Sequence, residues 1–95
     1  MNDASMKAFS ARISGIVQGV GFRYSCVFEA NRLHILGFVR NSPDGSVEVT
    51  AEGAADKIDQ FRSWLKNGPR GALVQKAEFN EQPYQGRYAR FSIDY

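Results

Sequence analysis

A single cysteine and a single histidine occur in 95 residues. One cysteine cannot close an internal disulfide, and with one histidine it cannot build a zinc site. Net charge is also scarce. Twelve Lys and Arg against ten Asp and Glu leave +2, too little to imply a polyanion such as nucleic acid without a local cluster. No apolar run approaches the ~20 residues that cross a bilayer. Met1 to Phe9 lacks the basic-then-apolar layout of a secretory signal. What is present is an ordinary globular balance, 43% hydrophobic and 23% charged, which argues against a disordered chain. The expectation is one domain over residues 1–95, reduced and cytosolic, with no nucleic-acid or membrane partner, working as a monomer or in a loose complex.

Residues 1–6 are small and polar and are expected to fray. From Lys7 the chain alternates: Phe9, Ala11 and Ile13 point one way, Ser10, Arg12 and Ser14 the other, as in a strand with one buried face. A loop with three glycines, Gly15 to Gly21, follows. Phe22, Cys26, Ala30 and Leu33 then form one stripe of a helix over 22–33. Leu36 to Asn41 reads as a second strand, Ser42-Pro43-Asp44-Gly45 as a turn, and Ser46 to Glu52 as a third strand, completing a hairpin. A second helix, about Ala54 to Lys66, carries Ala54, Ile58, Phe61 and Leu65 on one stripe and stops at Asn67-Gly68-Pro69. A fourth strand is placed within Lys76 to Pro83 and a last one at about Tyr88 to Ile93. The order β-α-β-β-α-β plus a C-terminal strand predicts an α+β, ferredoxin-like sandwich. Both helices lie on one face of an antiparallel-rich sheet.

Chemistry is most legible between Gly15 and Arg23. Glycines in a strand-to-helix loop let backbone N–H groups converge on an anion, and a helix start adds unpaired N–H groups. Gly19-Val20-Gly21 lacks the third glycine of a dinucleotide fingerprint, position 24 being Tyr, and no Lys-Ser/Thr follows as in a nucleotide P-loop. A tight structural connection would read the same way. Arg23 stands at the wrong end of the helix dipole, at a cost of about 0.3–1 kcal/mol. That placement suits an Arg gripping a dianion between itself and the loop amides, or a solvated surface Arg. The helix descends about 18 Å, and the strand 36–41 climbs back about 20 Å. Asn41 therefore returns to the edge of the sheet that holds the loop. Its amide suits the positioning of a water, or an Asx turn before Ser42-Pro43.

The segments Gly15-Ile-Val-Gln-Gly-Val-Gly-Phe-Arg23, Gly37-Phe-Val-Arg-Asn41 and Asp44-Gly45-Ser46-Val47-Glu48-Val49, with Gly68-Pro69 and Phe91-Ser-Ile93, closely resemble the acylphosphatase family over nearly the whole chain. The resemblance implies the ferredoxin-like fold and metal-independent hydrolysis of the carboxyl–phosphate bond of a small-molecule acyl phosphate, with no cofactor. It implies that Arg23 binds the phosphate together with the backbone amides of Gln18, Gly19, Val20, Gly21 and Phe22, and that Asn41 positions the attacking water. The alternative is a non-catalytic or regulatory phosphate- or RNA-binding module of the same fold. The third strand argues against RNA: Val47 to Glu52 is acidic and lacks the aromatics on which bases stack. Two departures from the family pattern are Phe38, where Trp is common, and Leu33-His34-Ile35-Leu36 in place of a Leu-Gly-Leu lead-in. Residues 72–88 match only loosely.

Other residues read as structural. Cys26 lies on the buried stripe, and Trp64, Phe61 and Phe91 read as packing. His34 is expected in solvent, and Asp44 serves its turn. Glu48 and Glu52 are expected on a solvated sheet face. Arg40 could lend positive potential to the site or be an ordinary surface charge.

Overall fold

Alternating burial organises the first strand, β1 (Met6–Ile16): Phe9, Ala11 and Ile13 turn inward and are buried. The computed structural model describes residues 5–95. The fraying expected of residues 1–6 falls outside them for 1–4, whereas Met6 already pairs with Ala54. The elements that follow are α1 (Phe22–Arg32), β2 (Leu36–Asn41), β3 (Val47–Ala54), α2 (Ala55–Leu65), β4 (Leu73–Gln82) and β5 (Phe91–Ile93). The sheet order is β4-β1-β3-β2-β5. Strand β3 runs antiparallel to both β1 and β2, so β1 and β2 are parallel with β3 between them, as the split β-α-β reading requires. On the outer edge β5 pairs parallel with β2.

Inward-facing side chains of the sheet meet both helices in one core. Phe61 of α2 is fully buried and lies 6.3 Å from Phe9 of β1, 5.7 Å from Phe91 of β5 and 6.1 Å from Trp64, ring centre to ring centre. Truncating such a ring costs about 3–5 kcal/mol, from lost burial and the cavity left behind. Cys26 is completely buried in α1, and burial pushes its thiol far above the ordinary range, which keeps it protonated and inert.

Helix α1 ends in paired backbone bonds. Ile35 N–H donates to Ala30 C=O (2.8 Å) and His34 N–H to Asn31 C=O (3.2 Å), the Schellman arrangement. It requires a left-handed residue just past the helix. His34 fills that place at φ 58°, with its ring exposed as expected.

Several boundaries and exposures differ from the sequence reading. Ala54, expected on the stripe of the second helix, is the last residue of β3 and the N-cap of α2. Gly15 belongs to β1, at a bulge in its pairing with β4, so the loop proper is Val17–Gly21. Strand β4 starts at Leu73, earlier than expected. As an edge strand it is exposed along most of its length; Val74, Ala77 and Phe79 pack against the core, and the three-residue step from Val74 to Ala77 breaks the period of two that marks a half-buried strand. Strand β5 holds only Phe91–Ile93, shorter than the Tyr88 to Ile93 expected. Finally, Glu52 is buried, not solvated. Residues 83–90 cross the outer face of the sheet above it, and its carboxylate accepts the N–H groups of Gly86 (3.2 Å) and Tyr88 (3.0 Å). Tyr88 then sets its ring edge against Phe38 at 6.0 Å.

Candidate active site

Two buried side chains hold the ends of the loop. Val17 and Phe22 are each 1% exposed, and Phe22 packs on Trp64 at 5.9 Å. Between them Gly19 and Gly21 take φ of 76° and 77°, a left-handed conformation that costs an L-residue about 1–2 kcal/mol. Among the described residues, nothing outside the adjoining chain lies within 4 Å of where a Cβ would stand on either one. Glycine is therefore required here by backbone conformation, not by crowding. Alternating handedness turns successive N–H groups to one side, which makes an anion-binding concavity.

Helix α1 opens on this loop. Gly21 is its N-cap and carries no side chain to bond the first turn, and no acidic residue occupies that turn. The first-turn N–H groups thus have no intrahelical partner and face outward with the positive end of the dipole. Among the described residues, no backbone N–H of Gln18, Gly19, Val20, Gly21 or Phe22 bonds a protein acceptor outside the regular elements.

Arg23 projects from the same turn, half-buried. Among the described residues its guanidinium enters no ion pair. It lies over the ring of Tyr95, 5.4 Å from the centre. A hydrogen bond with Tyr24 holds the Tyr95 phenol above its ordinary pKa, with Arg23 pulling the other way. The residue before Tyr95, Asp94, donates its N–H to Val39 C=O (2.9 Å). Arg23 is therefore placed beside the C-terminal end of β2.

Asn41 closes that end. It pairs with Val47, which pairs in turn with Ile13 on β1. Residues directly opposite in a ladder share a face. Asn41 therefore points to the helix layer, and its Oδ1 is buried with no hydrogen-bond partner among the described residues. A buried acceptor left without a partner costs about 1–3 kcal/mol, so the atom is poised for a donor from outside the chain.

The following turn is heavily braced. Asp44 accepts Ser46 N–H (2.9 Å), Ser46 Oγ–H (2.6 Å) and Arg12 Nη1 (2.8 Å). These bonds, those from Ser46 first, hold the Asp44 carboxyl below its usual pKa. Gln18 then ties the loop to this turn through its side-chain amide, at 2.8 Å to Ser42 C=O and 2.9 Å to Ser46 C=O. The structure thus gathers Arg23, the loop amides and Asn41 at one end of the sheet.

Arg40 does not join them. It lies on the opposite face of β2, where it pairs with Glu48 (2.7 Å) and Asp94 (3.5 Å). Sequence reasoning missed the Gln18 side chain, which was considered only for its backbone N–H. Its partners stand 24 and 28 residues away, and no local pattern signals them.

Known proteins share this arrangement of elements. The family model described as Acylphosphatase matches residues 9–93. An acylphosphatase of Burkholderia thailandensis is 43% identical over 89 residues, spanning 94% of this chain and 91% of its own. The crystal structure of the acylphosphatase from Bacillus subtilis superposes with a TM-score of 0.89 at 36% identity, covering 94% of this chain and 99% of the other. That of Coxiella burnetii gives 0.90 at 33% identity, covering 96% and 95%. Agreement in sequence and fold along nearly the full length places this chain in the acylphosphatase family, the enzymes that hydrolyse the carboxyl–phosphate bond of acyl phosphates.

Proposed function

We propose that Arg23 and the amides of Gln18, Gly19, Val20, Gly21 and Phe22 hold the phosphoryl group of an acyl phosphate, and that Asn41 orients the attacking water. The observation that carries this reading is the buried Oδ1 of Asn41, without a partner among the described residues, at the end of the sheet that also holds an uncapped helix start and an Arg in no ion pair with any described residue. A dianion satisfies the guanidinium and several N–H groups at once, and charge-assisted bonds of that kind are the strong ones.

Water on Asn41 donates one O–H to Oδ1, which turns an oxygen lone pair toward phosphorus. As the new P–O bond forms, the bond to the acyl oxygen breaks and a carboxylate leaves. A phosphoryl oxygen takes the water's proton, so the products are the carboxylate and dihydrogen phosphate. A carboxylate is a weakly basic leaving group and needs no general acid. The remaining task is placement and charge stabilisation, which fixed N–H donors and a guanidinium supply. A metal is not needed for any of these steps. The proposal extends to an enzyme that acts in the cytosol as a monomer.

The test is hydrolysis of benzoyl phosphate by the purified protein in excess EDTA. Rapid release of inorganic phosphate is expected. No turnover, or turnover only on adding a divalent metal, would count against the reading.

A further inference from the structure

We infer that the side chain of Gln18 is a positioning residue for this reaction, setting the separation between the loop amides and Asn41. The inference rests on the roles proposed above for the loop and for Asn41. Both hydrogens of the Gln18 amide are used, one on Ser42 C=O and one on Ser46 C=O. Those carbonyls stand at the two ends of the β2–β3 turn, whose mouth is closed by Ser42 N–H donating to Ser46 C=O (2.8 Å). Ser42 is the residue next to Asn41. One side chain therefore grips the mouth of the turn while its own backbone N–H belongs to the loop.

Neither side of this link gives way easily. On the turn side, Asp44 is bonded by Ser46 and Arg12, and Arg12 Nη1 also donates to Ser46 Oγ at 2.8 Å. On the loop side, Val17 and Phe22 are anchored in the core. Between them Val20 also packs against the core. The Gln18 amide is thus the bond that converts two separately rigid pieces into one site of fixed width. No other side chain of residues 17–21 is seen to bond this turn among the described residues.

Gln18→Met keeps the length of the side chain and removes both donors. Two quantities separate positioning from simple support: kcat on benzoyl phosphate and the inhibition constant of inorganic phosphate. A shift of about an ångström between reacting groups can cost up to a hundredfold in rate. The expected result is a fall in kcat of about ten- to a hundredfold, with phosphate inhibition changed less than about threefold, because phosphate needs the loop and Arg23 but not Asn41. Adding Gln18→Met to Asn41→Ala should leave kcat unchanged within about twofold, since the effect runs through Asn41.

A wild-type kcat in Gln18→Met would overturn the inference and leave the role of Asn41 intact. Equal losses in kcat and phosphate affinity, or full additivity with Asn41→Ala, would also overturn it. Wild-type kcat in Asn41→Ala alone would remove the reading beneath it. If Gln18→Met does not fold, Gln18→Asn takes its place; it is one methylene too short to reach both carbonyls, and the same split is expected.

Discussion

Asn41 stands directly opposite Val47 in the β2–β3 ladder, with Ile13 of β1 on the far side of the same row. That register puts an amide into a row of otherwise apolar, buried side chains. A shift of one residue would move the amide to the outer face and turn Arg40 into the core. The polar atom is held inward by the pairing of the whole hairpin, which a local turn alone would not do. Truncating it should therefore leave the fold intact. For Asn41→Ala we expect kcat on benzoyl phosphate to fall by about a hundredfold and inhibition by inorganic phosphate to change little. Equal changes in both would reassign Asn41 to phosphate binding.

Glu52 governs the segment that crosses the outer face. Its two carboxylate oxygens accept from Gly86 and Tyr88. Removing a buried acceptor strands both N–H groups, so Glu52→Ala should lose about 1–3 kcal/mol in urea unfolding. The segment lies across the outer face of the sheet, whereas Asn41 faces the helix layer, so kcat per folded molecule should stay at the wild-type value. A matching fall in kcat would show that the two faces are coupled.

His34 occupies the left-handed position that ends α1. Relief of the αL penalty, about 1–2 kcal/mol, is partly offset by the greater freedom of glycine in the unfolded chain, about 0.5–1 kcal/mol. His34→Gly should gain roughly 0.5–1 kcal/mol of stability by that difference. Thermal unfolding checks it, and a lower Tm would contradict the cap assignment.

Asp44 sets part of the acid response. Its folded pKa lies below the ordinary value because the Ser46 hydroxyl and N–H bond it, with Arg12 adding attraction. A lowered carboxyl pKa gives stability that is fully present above the unfolded value of about 3.9 and is lost as pH falls through the folded value. The stability gap between wild type and Asp44→Asn should be flat above about pH 5 and shrink below about pH 4. A gap that widens on acidification would contradict the assigned bonds.

These residues also show what a sequence reveals. The period-two pattern of Phe9, Ala11 and Ile13 and the turn at Pro43-Asp44-Gly45 identify β1 and the hairpin, because both signals are local. The stripe of Cys26 and Ala30 and the stop at Gly68 do the same for the helices. Strand β4 was partly hidden because the step from Val74 to Ala77 breaks its period of two. Glu52 looked solvated because its cover comes from residues more than thirty positions later. At the site, Arg23 and Asn41 were legible through a strand-length argument and a family resemblance. The Gln18 clamp was not, since it depends on the carbonyls of a distant turn, and every residue carries a carbonyl.

The most direct measurement is turnover of benzoyl phosphate by Arg23→Gln, with circular dichroism as the control for folding. Arg23 enters no ion pair among the described residues and lies over the exposed Tyr95 ring, so the spectrum should match wild type. Loss of one such donor to a developing anion costs about 10²–10³ in rate, and phosphate inhibition should weaken alongside it. A folded Arg23→Gln protein that turns over substrate at the wild-type rate would contradict the account.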